Sequence, residues 1–321
     1  MQILEWGDLT DDQRAEAALI DWSDWNGPAL VGLLHDPWLH GRPYQGYTSL
    51  VAVEGGRVLA RVGTVRVSFR DRSGADPVLG VADVITDPRR LREGLATRLM
   101  EEVHRRARSD GLRASFLGTR VSWGAHRAYE KLGYRDVHSP PRSLRWVPRE
   151  PPVRAPGTWK VRPGRRRDGP ALQAVLERAS EGRVGLLPRS EGWFESRLRL
   201  RWSGPNDYLL LRKDGETVGY AHLSRGFRQV TCTEAVPSSP ELGAPLLDAI
   251  ERRAAGRWLG LGTTTFQADM ANELRRRGYH RIDRGHGVLM ACPLGGGASR
   301  LVRIRRGFRD RRLFFHQPDS V

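Results

Sequence analysis

Twice along this chain, two alternating apolar runs flank a glycine-bearing turn, and twice the same order of elements follows. The first pair occupies residues 50–62 around Gly55-Gly56, the second residues 208–221 around Asp214-Gly215. Period-two alternation around a turn that admits positive φ marks a β-hairpin. After each hairpin come a further strand, a helix, a strand, a helix and a closing Gly-Tyr, at Gly133-Tyr134 and Gly278-Tyr279. Hairpins followed by alternating helices and strands build a mixed sheet with helices on both faces, an α/β (α+β) class. Between the copies, residues 140–156 are dense in proline, which neither donates to a ladder nor favours a helical residue before it. The expected division is a first domain at 1–147, a Pro-rich linker at 148–157, a second domain at 158–294 and a basic tail at 295–321. At roughly 150 residues per domain, two domains also suit a chain of 321 residues.

Composition narrows the class further. Hydrophobic residues make up 39% of the chain, enough to bury proper cores, which excludes an intrinsically disordered protein. Cys232 and Cys292 supply neither a disulfide framework nor a four-thiolate zinc site, so a reduced, cytoplasmic protein without a metal is expected. No apolar run approaches the roughly 20 residues of a spanning helix, and residues 1–8 lack the charged and apolar regions of a leader. No membrane partner is expected. Lys plus Arg total 53 against 37 acids, a net charge of +16, and only Lys131, Lys160 and Lys213 are lysine. A polyanion partner such as nucleic acid is one reading of that excess; a solvated surface written in arginine is the other. Along the sequence, aromatics do not interleave with the basic clusters as a base-stacking platform requires.

Residues 81–134 carry the chemistry. A strand over 79–86 is stopped by Asp87-Pro88, and an amphipathic helix follows with Leu95, Leu99, Met100 and Val103 on one face. Gly94 at the turn lets the backbone approach a ligand, and the helix start offers free N–H groups at a positive dipole end. On those grounds the turn is either a phosphate cradle or an ordinary tight connection. A short strand over 113–119 then leads to a helix over 122–134. On it Ser122, Ala125 and Tyr129 share one face by their i, i+3, i+7 spacing, and Gly133 ends it.

These residues resemble the GNAT superfamily of N-acetyltransferases: the strand 81–86, the turn Arg92-Glu93-Gly94-Leu95-Ala96-Thr97, and Ser122-x-x-Ala125-x-x-x-Tyr129-Glu130-Lys131-Leu132-Gly133-Tyr134. With the preceding hairpin the resemblance covers most of residues 1–147, and the tandem arrangement is loosely similar to that of the mycothiol synthases. It implies two tandem GNAT-like domains, each a mixed, splayed sheet, with acetyl-CoA in the gap between two parting strands. Pantetheine then pairs with backbone at Val84 and Ile85. The diphosphate sits on amides of Arg92, Glu93, Gly94, Leu95, Ala96 and Thr97, and Ser122 stands where the family has an asparagine beside the cofactor. Leu91 and Arg92 replace the family's usual Arg or Gln and Gly, and Glu93 adds an acid at the turn.

The resemblance makes Tyr129 the general acid that protonates the departing thiolate, a role a partly buried phenol suits; its other reading is a core tyrosine. Asp83 is either the acceptor of the amine proton or a structural carboxylate. His126 faces away from Tyr129 and is expected at the surface or against a phosphate of the cofactor rather than in catalysis. His35 and His40 fall where such folds cover the acceptor, and Trp22, Trp25 and Trp38 either line an apolar acceptor pocket or pack under helices. In the second half the position matching Tyr129 is Leu274, prolines interrupt the turn after the strand 230–236, and Cys232 is expected to be a buried apolar thiol. The expected function is acetyl transfer to a primary amine of a small molecule or peptide, by direct attack in a ternary complex within residues 1–147. The second domain is degenerate, and self-association is compatible with either reading. The alternative is a non-catalytic acyl-CoA- or nucleic-acid-binding module.

Overall fold

The computed structural model describes residues 1–25, 48–71, 74–152, 157, 159–187, 192–199, 204–282, 287–295, 299, 301–302, 305–306 and 313–314. The first half runs β1 (Gln2–Glu5), α1 (Asp11–Trp25), β2 (Thr48–Glu54), β3 (Arg57–Asp71), β4 (Gly74–Thr86), α2 (Leu95–Ser109), β5 (Ala114–Arg120), α3 (Gly124–Lys131) and β6 (Arg135–His138). Then follow β7 (Arg142–Trp146), β8 (Lys160–Pro163), α4 (Gly169–Ser180), β9 (Val184–Leu187), α5 (Trp193–Arg199), β10 (Tyr208–Lys213), β11 (Glu216–Arg225) and β12 (Gln229–Pro237). The chain closes with α6 (Gly243–Arg253), β13 (Trp258–Leu261), α7 (Thr264–Asp269), α8 (Ala271–Arg276), β14 (His280–Ile282), β15 (Gly287–Pro293) and β16 (Leu313–Phe314). Both hairpins form at the expected turns.

Among the described residues the strands make two mixed sheets, of nine and seven strands. Helices cover both faces of each, because successive apolar residues of a strand point to opposite faces. Leu50 and Ala52 of β2 pack with Leu95, Leu99, Met100 and Val103 of α2, while Val51 and Val53 pack with Ala17, Ala18 and Ile20 of α1. In the second sheet Leu209 and Leu211 meet Leu246, Leu247 and Ile250 of α6, and Leu210 meets Leu172, Val175 and Leu176 of α4. Two-sided burial is what makes β2 and β10 read as near-continuous apolar runs.

Sheet membership does not follow the linear division of the chain. β15, from the end of the second half, lies between β5 and β6 of the first sheet, with Val288 opposite Thr119 and Met290 opposite Asp136. In return β7, from the end of the first half, lies between β13 and β14, with Arg145 opposite Leu259. The boundaries 1–147 and 158–294 therefore cut across both sheets. β9 adds to the far end of β3, Phe69 opposite Leu186, and β16 from the tail pairs in parallel with β9. No helix of the described residues is long and apolar enough to cross a membrane.

The parallel pair β4–β5 is short. Its register covers Leu79 with Ser115, Gly80 with Phe116 and Val81 with Leu117, and then stops, although β4 continues to Thr86 and β5 to Arg120. Beyond that point β5 stays paired on its other side, Thr119 with Val288 and Arg120 with Gly287. The sheet opens into a V at the carboxyl ends of its two central strands.

Candidate active site

Three features border that V. The first is a β-bulge in β4: the register with β3 slips between Arg61–Ile85 and Gly63–Ala82, so Asp83 and Val84 together face Val62. Asp83 takes φ 47°, a left-handed backbone that aspartate tolerates better than most residues. Its carboxylate is held by Arg61, Nη2 to Oδ2 3.1 Å, and that guanidinium lies 5.6 Å from the centre of the Trp6 ring. A bulge bends its strand and leaves a residue unpaired in its ladder, here two residues beyond Val81, the last residue of β4 that pairs with β5.

The second feature is the turn into α2. Asp87 accepts from the backbone N–H of Arg89 (2.9 Å) and pairs with its guanidinium (2.7 Å), which fixes the 3-10 turn Pro88–Arg90. Gly94 is the N-cap, in the left-handed region at φ 76°, and nothing lies within 4 Å of where a Cβ would stand. The first helical bond of this turn is Arg98 N–H to Gly94 C=O, 3.0 Å. The amides of Leu95, Ala96 and Thr97 precede it, and no side chain caps the helix. Residues 91–94 and Thr97 are exposed, Ala96 is half-buried and only Leu95 is buried. Glu93 brings little uncompensated charge, because Arg90 binds it at 2.8 Å and reaches Glu54 at 3.2 Å. An open, dipole-bearing helix start with an acid neutralised beside it is an anion site in waiting.

The third feature is Tyr129 on α3, 8% exposed and edge-on to Tyr134 with ring centroids 5.9 Å apart. Tyr134 is itself pinned: its hydroxyl lies 2.6 Å from Ser115 Oγ and 2.9 Å from His104 Nε2. Burial holds the Tyr134 phenol well above its ordinary value and, with Arg108, draws His104 down to about 4. Residues 12–134 match the description "Acetyltransferase (GNAT) family".

This segment is a GNAT acetyltransferase domain.

Solved structures extend the likeness of fold over the chain. A GCN5-related N-acetyltransferase from Kribbella flavida is 19% identical with a TM-score of 0.66, over 93% of this chain and 73% of that one. Eis1 from Mycobacterium abscessus gives 17% and 0.63, over 93% and 75%. A tandem GNAT protein from the clavulanic acid biosynthesis pathway gives 14% and 0.55, over 92% and 98%. Among curated proteins, none matches this chain. The chain thus has the tandem GNAT fold.

Within the GNAT domain, Asp83, Val84, Ile85 and the residues of the 92–97 turn lie on the two elements that border the V, β4 and the start of α2. Ser122 is misplaced by the sequence reading. It sits in an exposed turn closed by Trp123 N–H to Arg120 C=O (3.0 Å), and α3 begins only at Gly124. His126 is not a surface residue either: it is buried, with Nε2 2.9 Å from Asp136 Oδ1. Trp25 ends α1, and its side chain, like Trp22, His35, Trp38 and His40, lies outside the described residues.

The second half repeats the frame with other residues at the matching positions. Tyr134 N–H bonds Tyr129 C=O and Tyr279 N–H bonds Leu274 C=O, each 3.0 Å, with Gly133 and Gly278 both at positive φ. This shared helix stop makes Leu274 the geometric counterpart of Tyr129. At the start of α6, Leu242, Gly243, Pro245 and Leu246 are buried, and a Cβ on Gly243 would collide with the Met270 thioether. The closing helix breaks there into α7 and α8, and the strand before it, β13, ends at Leu261. Cys232 is fully buried, which pushes its thiol up and away from the reactive thiolate.

Proposed function

We propose that this protein is an acetyl-CoA-dependent N-acetyltransferase, that its chemistry runs in the GNAT domain, and that the acceptor is a primary amine attacking directly in a ternary complex. The observation that carries the reading is the parting of β4 from β5 after Val81 and Leu117, which opens backbone beside an exposed helix start. The residues present fit the donor: the Gly94 turn is unobstructed, and Glu93 is already paired. Acetyl-CoA, when bound, supplies the activated acetyl group.

Amides of residues 92–97 hold the diphosphate, with Ser122 beside them. Backbone of Val84 and Ile85 holds the pantetheine arm, and the bulge directs an N–H toward the carbonyl that develops charge. The Tyr129 hydroxyl, on a ring steadied by Tyr134, gives its proton to the departing sulfur and is restored by the proton that the acetylated nitrogen sheds. Asp83, whose carboxylate Arg61 binds at 3.1 Å, is better suited to holding the bulge than to taking the amine proton. The closed helix start and Leu274 leave the second half to shape and support the first. A panel of small-molecule and peptide amines, screened by thiol release from acetyl-CoA, tests this; release with at least one amine class is expected. Tight donor binding with no release for any amine would overturn it.

A further inference from the structure

Basic and aromatic residues that stand apart along the sequence converge at one end of the second sheet. The β11–β12 turn carries Phe227, 91% exposed, with the Arg228 guanidinium 5.6 Å from its ring centre. Trp258 N–H donates to Arg228 C=O at 3.1 Å, which sets the first residue of β13 beside that turn. Across the ladder Trp258 faces Trp146 of the exchanged strand β7, with ring centroids 5.7 Å apart and planes at 77°. Leu259 and Leu261 face the core, so the two indoles project from the other side, 42% and 49% exposed.

Cations surround these rings. Arg225 precedes the turn, Arg253 ends α6, and Arg257 adjoins Trp258; with Arg228 all four are exposed. Among the described residues none of the four has a carboxylate within ion-pair distance, whereas Arg145, Arg162 and Arg277 are all paired. Partial burial and the neighbouring charges of Arg225 and Arg257 hold Arg253 below the usual arginine range. Positive charge is crowded here without its counter-charge.

We propose that this end of the second sheet, with Phe227, Trp258 and Trp146 set among Arg225, Arg228, Arg253 and Arg257, binds single-stranded nucleic acid. Guanidinium forks match phosphate oxygens bidentately. Aromatic faces stack on unpaired bases whatever their identity, and a duplex hides those faces. A strip of three rings suits successive bases. A membrane surface suits it less well, because only Phe227 stands clear of the protein while the indoles brace each other on the sheet.

The test is fluorescence anisotropy with a labelled oligothymidylate of about 20 nucleotides, a duplex of equal length, and phosphatidylserine-containing vesicles as a third arm. The single strand should bind more tightly than the duplex. Phe227→Ala and Trp258→Ala should each weaken it at least about fivefold, and Arg253→Gln should flatten the slope of log affinity on log salt by about 0.7. Phe227 is so exposed that its removal leaves the fold untouched, so wild-type affinity in that variant overturns the proposal. Preference for the duplex, or binding to the vesicles alone, overturns it as well.

Discussion

Replacing Tyr129 by Phe deletes one hydroxyl from a ring that stays packed against Tyr134. Acetyl-CoA affinity is expected to change little, while kcat falls by about 10²–10⁴; titration and steady-state rates on the same preparation check both. Two other side chains set a pH limit on the fold. Burial draws His104 and His138 down to about 4, from 6.5 for a free imidazole. Between those values the unfolded chain takes up protons that the folded one refuses. Stability is therefore whole above about pH 6.5 and lost as pH falls toward 4, each group accounting for at most about 3 kcal/mol. Urea midpoints are expected to drop steadily over that interval; a flat profile contradicts the shielding of two neutral imidazoles in the fold.

At the scale of elements, the start of α2 decides whether a diphosphate can be seated. Gly94→Ala forces a Cβ onto a left-handed backbone at about 1–2 kcal/mol, so KM for acetyl-CoA should rise with little change in kcat. Local signals made much of this legible in the sequence. Period-two runs around Gly55-Gly56 and Asp214-Gly215 define hairpins by themselves, and Gly133 before Tyr134 announces a helix stop. Ser122 was misread because i, i+3, i+7 spacing says nothing of where a helix begins; the Arg120–Trp123 turn takes that residue out of it. The break between α7 and α8 is likewise a packing event, Met270 against Gly243, with no breaker residue to announce it.

At the scale of the whole molecule, the exchange of β7 and β15 was beyond sequence reading, since an apolar strand does not state which sheet it will join. Its energetic consequence is concrete. Arg145 of β7 binds Glu251 at 2.9 Å, within a buried network where Arg277 meets Asp248 at 2.6 Å and Glu251 at 3.0 Å, and the Tyr279 hydroxyl donates to Glu251 at 3.0 Å. Removing a cation from such a network leaves a buried acid uncompensated. Arg145→Ala should therefore destabilise the protein by about 3 kcal/mol. Because each core contains a strand of the other half, calorimetric unfolding should show one transition, which two resolved transitions would contradict.

Isothermal titration with acetyl-CoA bears most directly on where the donor sits. One molecule per chain is expected, bound normally by Tyr129→Phe and by Ser239→Trp at the second-half turn, and lost in Gly94→Trp. Binding that survives Gly94→Trp and disappears in Ser239→Trp would place the site in the other sheet and contradict the account.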